Sequence, residues 1–418
     1  MSIKMNTEWK NGWRAVLSGS VGMGTGLGLY SMMNSIFIIP LTEEFGWERS
    51  EMALSNVIGL LALLTLPILG ALVDKFDSRK LACLGMILLG FSYIGLALQP
   101  GSLWIYYTTL LLMVFLGQTT GPMVFSKVVN TWFNSSRGLA LGATMSGITI
   151  FSMVLFPLLN YINELWGWRW GFVCFALVPL VIGLPLVAWG LKAAPAGYLS
   201  SLSDNAGGVD IQTDGLSMKE ALTGAKFWLL AGALITANIA VGGMMHQLQP
   251  LLIAQGFTST EGASLAVFFF VGIFFGRLSS GWFLDRFWPA AVAALFLLSP
   301  LIGIGIFLSD APAMFWIGIP AVLCFGLAQG AEVDFMAFLV PRYFGLVNYG
   351  KLFGILLFML ASSLAAGSYI YGLIFDYYGN YQFALMLGAM CFICSAVFFL
   401  LSGIIGKDFD SVKVAMNH

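Results

Sequence analysis

Twelve apolar stretches follow one another along the chain. They lie near residues 14–41, 50–73, 80–98, 103–132, 137–164, 168–191, 224–255, 261–284, 289–308, 312–341, 349–376 and 380–404. Each is close to or above the roughly 20 residues that a helix needs to cross the hydrocarbon core of a bilayer. Lipid offers no hydrogen bonds, so a spanning backbone must satisfy its own N–H and C=O groups, which an α-helix does within one segment. The pattern therefore predicts an all-α membrane protein with twelve transmembrane helices. Only 9% of residues are charged, against about 25% in an ordinary soluble domain. The formal net charge of -1 leaves no basic footprint for nucleic acid.

One long polar stretch, "APAGYLSSLSDNAGGVDIQTDGLSMKEAL", divides the spans into six plus six. The expected organisation is an N-terminal six-helix bundle over 1–192, a cytoplasmic linker over 193–222 and a C-terminal six-helix bundle over 223–418. Lys and Arg accumulate on the cytoplasmic side of membrane proteins. With both termini inside, sixteen of the nineteen basic residues fall on cytoplasmic ends and loops, and Arg49 and Arg169 fall outside. The nineteenth, Arg277, lies within the eighth span. The start "MSIKMNTEWKNGWR" lacks the apolar core of a signal peptide. The five cysteines all sit in apolar segments and point to neither a disulfide framework nor a metal site. Ser-His-Asp, HExxH and phosphate-loop patterns are missing from the sequence, so no enzyme and no cofactor is expected.

Arg277 is the residue most in need of a reason. It follows "SLAVFFFVGIFFG" and has no acid on its own helix nearer than Asp285. It lies about five residues past the middle of its span, or roughly 7 Å from the midplane at about 1.5 Å per residue. A cation at that depth costs several kcal/mol unless it meets water, a partner or a ligand. A planar guanidinium suits a carboxylate, which it grips through two hydrogen bonds. Arg277 is therefore expected to bind an anionic substrate. The alternative is a structural pair with Glu332 or Asp334 in the tenth span, "LAQGAEVDFMAF", and substrate could displace one of them. A buried carboxyl can carry protons, which makes Glu332 and Asp334 candidate coupling sites, Glu332 preferred as nearer the midplane. Pairing with Arg286 or Arg342 is the structural alternative. Tyr30 and Asn34, four apart on one helix face, could line a cavity with Gln118 and Gln329. His246 near the outer end of the seventh span could join them or make a structural hydrogen bond. Lys127 is near enough to the end of its span to snorkel.

The two halves of the chain match each other. "GALVDKF" and "GWFLDRF" align 211 positions apart, pairing Gly70 with Gly281, Asp74 with Asp285 and Lys75 with Arg286. The same offset pairs Gln118 with Gln329, and an offset of 212 pairs "RGLALG" with "YGKLFG". Pro40 and Glu51 match Pro250 and Glu261 at an offset near 210. A near-constant offset means a duplicated six-helix unit.

"GALVDKFDSRK" and its echo "GWFLDRF" resemble the signature loops of the major facilitator superfamily. The resemblance covers nearly the whole chain. It implies two pseudo-symmetric six-helix bundles that rock around a central site in alternating access. It also implies gating roles at the cytoplasmic side for Asp74, Lys75, Arg79, Asp285 and Arg286. "FGWERSEMALS", "WFNSSRGLALGATMSG", "RYFGLVNYGKLFG" and the arginine in the eighth span are similar to the monocarboxylate transporter and oxalate/formate antiporter branch. The chain departs from that branch in places. The interior of the eleventh span has no cation, the first span has no lysine, and position 273, four before the arginine, is Ile. One central arginine favours a substrate with a single acidic group. The expectation is a secondary transporter that moves an organic monocarboxylate with a proton. An anion antiporter and an exporter of amphipathic metabolites are the alternatives. Its partners would be a small organic anion, protons and the lipid bilayer of a bacterial-type inner membrane. It would work as a monomer.

Overall fold

The computed structural model describes residues 2–47, 61–62, 64–195, 197–198, 215–309 and 314–405. Much of the second span, most of the linker and the tail lie outside the described residues. Arg49, Glu51, Lys407 and Lys413 lie there too. Among the described residues the chain is helical, with no strand. Ten helices are long and apolar enough to cross a membrane. The remaining two spans are the first, which is broken, and the second, which is only partly described.

The first span consists of α1 (Ser2–Thr25), α2 (Leu27–Met33) and α3 (Ser35–Phe45), with breaks at Gly26 and Asn34. Next come α4 (Leu66–Lys75), α5 (Ser78–Ala97), α6 (Leu103–Gly117), α7 (Pro122–Trp132), α8 (Arg137–Met145), α9 (Gly147–Trp166), α10 (Trp168–Leu177) and α11 (Leu184–Gly190). After the linker follow α12 (Met218–Thr223), α13 (Ala225–His246), α14 (Leu248–Ala254), α15 (Ser259–Leu284), α16 (Pro289–Leu298), α17 (Pro300–Leu308), α18 (Phe315–Phe344), α19 (Tyr349–Tyr378) and α20 (Gln382–Ile404).

Two compact units emerge. One comprises Met1–Ser135, Ala143–Thr213 and Tyr349–Ile355. The other comprises Ser136–Gly142, Asp214–Asn348 and Leu356–His418. Each thus includes one short helix start that the sequence places in the other half.

In the first unit the break in one span is satisfied by the break in another. A helix start leaves backbone N–H groups without intrahelical partners. The Leu27 amide, freed at Gly26, donates to Thr120 Oγ1 at 2.9 Å. Thr120 sits in a short 3₁₀ turn, Gln118–Thr120, between α6 and α7. Gln118 Nε2 in turn donates to the Ala62 carbonyl at 2.7 Å, tying this turn to the second span. Aromatic rings fill the interior around α2, α5 and α10. Phe37 stacks on Phe172 at 3.9 Å between centroids, and Tyr30 packs against Tyr93 and Phe175. Such ring pairs add roughly 0.5–1.5 kcal/mol beyond area burial.

In the second unit α15 and α18 form the most intimate pair. The reason lies in two four-residue spacings, Gly272/Gly276 and Gly326/Gly330. A Cβ at Gly276 would strike the Leu327 backbone, and one at Gly330 would strike the Ile273 backbone. Without a hydrophobic force between helices in lipid, close backbone approach through small residues drives association. Gly276→Leu is therefore expected to lower the thermal unfolding midpoint in detergent sharply, whereas Gly305→Ala, where a Cβ meets nothing within 4 Å, should leave it unchanged or slightly raised. Equal effects at both positions would refute the contact as the cause.

Candidate functional site

The glycine-mediated contact places Arg277, one residue after Gly276, beside the acidic turn of α18. Glu332 and Asp334 are both about 1% exposed. The guanidinium charge of Arg277 acts on each of them. They are two residues apart, hence about 200° around the helix axis, yet both feel the same cation.

The two acids differ in their surroundings. Gln329 Nε2 donates to Glu332 Oε1 at 3.2 Å. Asn238, fully buried on α13, donates to the Leu234 carbonyl at 2.9 Å, and its side chain also bears on Glu332. Neither oxygen of Asp334 receives a hydrogen bond from the described residues. Burying a polar group without such a bond costs about 1–3 kcal/mol for a neutral group and far more for an ion. The cluster is thus one cation, one hydrogen-bonded carboxyl and one bare carboxyl, all within a helical interior.

A second feature repeats in both units. In the first, Asp74 Oδ1 accepts from the Gly350 amide at 2.7 Å and Oδ2 from the Lys351 amide at 3.0 Å. In the second, Asp285 Oδ1 accepts from the Gly138 amide at 2.6 Å and Oδ2 from the Leu139 amide at 2.9 Å. Each carboxylate therefore caps the first turn of a helix, α19 or α8. Unpaired amides and the positive end of the helix dipole favour an anion there. The two caps are related by the sequence repeat. Glycines permit them: a Cβ at Gly70 or Gly281 would strike the backbone of Gly350 or Gly138.

Lys127 belongs to the first cap. Its Nζ donates to the Val73 carbonyl at 2.6 Å and lies 3.6 Å from Asp74. It turns inward to a carboxylate instead of snorkelling to water. Ser126 and Tyr349 join hydroxyls at 2.7 Å beside it. In the second cap the charges of Arg137 and Arg286 act on Asp285. Arg137 is 4% exposed.

Burial pushes the Asp285 carboxyl up to about 6, against the opposing pull of the Leu139 and Gly138 amides and the two arginines. In water the group would return to its ordinary range near 3.8. The capped arrangement therefore binds a proton that an uncapped one releases between about pH 6 and pH 4. Falling pH across that window favours the capped arrangement, by at most about 1.4 kcal/mol per pH unit. The advantage is lost as pH rises through 6. The amides of residues 138–139, corrected for intrinsic exchange, should show greater hydrogen-exchange protection at pH 5 than at pH 7. A decrease at pH 5 would contradict this.

The other residues singled out by sequence are scattered. Tyr30 lies in the aromatic interior of the first unit and donates to Asn34 Oδ1 at 3.0 Å. Gln118 is committed to Ala62 and accepts from Thr65 at 3.3 Å. His246 is exposed, and its Nδ1 lies 3.0 Å from the Gly242 carbonyl. Lys75 and Arg286 rest over the rings of Phe76 and Trp282 at 5.7 and 3.9 Å. Arg79 donates to the Ala188 carbonyl at 3.4 Å. Of the proposed substrate-binding set, the structure brings Arg277 and Gln329 together with the two acids. Sequence reasoning passed over Asn238, a lone amide in an apolar helix, and the cap partner Arg137, and it read Lys127 as snorkelling. The glycine spacings were the signal that pairs α15 with α18.

The described residues thus form helices long and apolar enough to cross a membrane, with one charged cluster between α15 and α18 and a helix cap repeated in both units. The profile of the Major Facilitator Superfamily matches residues 20–346, and the chain belongs to that family. It is 23% identical to the uncharacterized MFS-type transporter YcxA of Bacillus subtilis, covering 88% of this chain and 89% of that protein. It is 24% identical to Monocarboxylate transporter 11 of Mus musculus, covering 94% and 86%. Among solved structures, the transporter FucP in its outward conformation superposes with a TM-score of 0.70 at 14% identity, over 93% of this chain and 98% of that one. The human organic anion transporter MFSD10 does so with a TM-score of 0.67 at 16% identity, over 94% and 98%. The structural likenesses speak for the major facilitator fold.

Proposed function

We propose that the protein is a secondary active transporter that moves an organic monocarboxylate together with a proton by alternating access. The observation that carries this reading is the single guanidinium of Arg277 shared by two buried carboxyls. The names of the monocarboxylate transporter relatives support the substrate class.

The coupling follows from counting charge. A net charge is costly in a low-dielectric interior. One cation with two carboxyls is neutral only when one carboxyl holds a proton. An incoming carboxylate that binds Arg277 through two charge-assisted hydrogen bonds brings one more negative charge. The carboxylate it displaces then takes up one proton, and the loaded site is neutral again. Bound anion and proton cross together, and the empty site returns with its own charge balanced. Asp334, without hydrogen bonds, is the acid that gains most from a proton, and Glu332 is held toward Arg277 by Gln329 and Asn238.

The bundles 1–192 and 223–418, joined by the linker 193–222, are the moving parts of this mechanism. Asp74 and Asp285, together with Lys75, Arg79 and Arg286, act as the cytoplasmic gate. Opening it requires each carboxylate to give up two amides. Tyr30, Asn34, Gln118 and His246 bear on substrate only if the bundles' motion exposes them. The orientation that suits the basic residues has both termini in the cytoplasm of a bacterial-type inner membrane, with one chain as the working unit.

The test is uptake of a panel of labelled carboxylates into proteoliposomes under an imposed inward proton gradient. Accumulation that a protonophore abolishes, and that an imposed membrane potential does not change, supports electroneutral symport. Uptake that ignores the gradient but requires an anion inside would replace symport by antiport.

A further inference from the structure

The end of the first unit where the chain begins holds a cavity of about 450 Å³, lined by none of the site residues discussed so far. Lys10, Asn11, Trp13, Arg14, Trp132 and Tyr198 line it. Its walls are held in place by specific bonds. Trp132 Nε1 donates to the Lys192 carbonyl at 2.6 Å. The Trp132 ring meets Tyr198 edge-on at 5.0 Å. Asn11 Nδ2 donates to the Tyr198 hydroxyl at 3.1 Å.

The two cations of this cavity are four residues apart on α1, which puts them on one helix face, where like charges repel. Among the described residues, neither Lys10 nor Arg14 forms an ion pair. The nearest acid in sequence, Glu8, accepts the amides of Asn134 and Ser135 at 3.1 and 2.9 Å. Arg14 stands 5.7 Å from the Trp13 ring and 5.2 Å from the Trp189 ring. These indoles are exposed, as tryptophans are where a membrane protein meets the headgroup layer. A site with an ammonium, a guanidinium fork and an amide on one wall and exposed indoles beside it matches an anion joined to an apolar body. A guanidinium recognises phosphate through paired hydrogen bonds, with lysine adding a point charge.

From this arrangement we infer that the cavity binds the phosphodiester headgroup of an anionic phospholipid. The chemistry recognised is phosphate, and the exposed Trp13 and Trp189 favour a lipid over a soluble phosphate. Basic pockets between membrane helices hold anionic headgroups in this manner.

The full-length protein in a neutral detergent is titrated with phosphatidylglycerol, phosphatidylcholine or glycerol 3-phosphate. Thermal unfolding and native mass spectrometry report binding. Phosphatidylglycerol should raise the unfolding midpoint and stay bound, with phosphatidylcholine doing neither. The double variant Lys10→Gln/Arg14→Gln should bind phosphatidylglycerol at least tenfold more weakly. Lys80→Gln/Lys219→Gln, which removes the same charge elsewhere, should bind it like the wild type. Arg14→Lys, which keeps the charge and loses the fork, should fall between, and it carries the test if the double variant does not fold. Unchanged phosphatidylglycerol binding in Lys10→Gln/Arg14→Gln, or an equal loss in Lys80→Gln/Lys219→Gln, would overturn the site. Glycerol 3-phosphate acting as strongly as the lipid would overturn the lipid assignment and make the ligand a soluble phosphate.

Discussion

Arg277→Gln is expected to fold and to lose carboxylate uptake by at least 100-fold. A hydrogen bond to a charged group contributes about 1.5–3 kcal/mol, and a guanidinium offers a carboxylate two of them. Each 1.4 kcal/mol is about tenfold in affinity, so losing both costs roughly two to four orders of magnitude. Arg277→Lys keeps the charge but not the fork, and it should retain measurable uptake. The variants are compared in proteoliposomes at matched protein content, with thermal unfolding as the check on folding. Gln at 277 leaves Glu332 and Asp334 without their shared cation, so some loss of midpoint is expected alongside the loss of transport. If a folded Arg277→Gln variant transports like the wild type, the arginine serves only to neutralise the two acids, and the carboxylate reading falls.

The double variant Glu332→Gln/Asp334→Asn is expected to separate coupling from translocation. An inward gradient of one pH unit supplies about 1.4 kcal/mol per proton, enough for about tenfold accumulation. With neither carboxyl left beside Arg277, a bound carboxylate neutralises the site and no proton is needed. Accumulation driven by the gradient should fall to near unity, while exchange of labelled for unlabelled carboxylate continues. Asp334→Asn and Glu332→Gln serve as the comparisons. Each keeps one carboxyl for Arg277, which takes up a proton when substrate displaces it, so each should keep proton-driven accumulation. Taking both carboxyls from the half-buried Arg277 is a change of the kind that costs up to about 3–5 kcal/mol for a fully buried pair. That double variant should be less stable than either single one, and it is assayed below its unfolding midpoint. Retained proton-driven accumulation in the folded double variant would remove the acids from the mechanism.

Particular residues show why part of this site was legible in sequence and part was not. A cation after twelve apolar residues announces itself, because its burial is expensive wherever its neighbours lie. Glu332 and Asp334 were legible for the same reason. The repeat exposed Asp74 and Asp285 as equivalent residues, but that each caps the first turn of another helix required coordinates. Asn238 was illegible, since a lone amide in an apolar helix as often holds two helices together as serves a ligand. Lys127 misled: its depth allows the ammonium to reach water, and the nearby Asp74 held it instead. Tyr30, read as a cavity residue with Asn34, packs among Tyr93 and Phe175.

What the sequence determined by itself is the set of spans, the duplication, and which polar groups are too costly to bury without a purpose. The duplication follows from a near-constant offset between matching residues, and the spans and costly groups follow from transfer energies of side chains and backbone, which depend on residue type and segment length alone. The tertiary structure decided which of the buried groups meet. A helix in lipid is apolar on every side, so its hydropathy pattern does not say which face turns inward. Its rotation is set by where backbones come close enough to touch, at Gly272 and Gly276 against Gly326 and Gly330. That contact puts Arg277 beside Glu332 and Asp334.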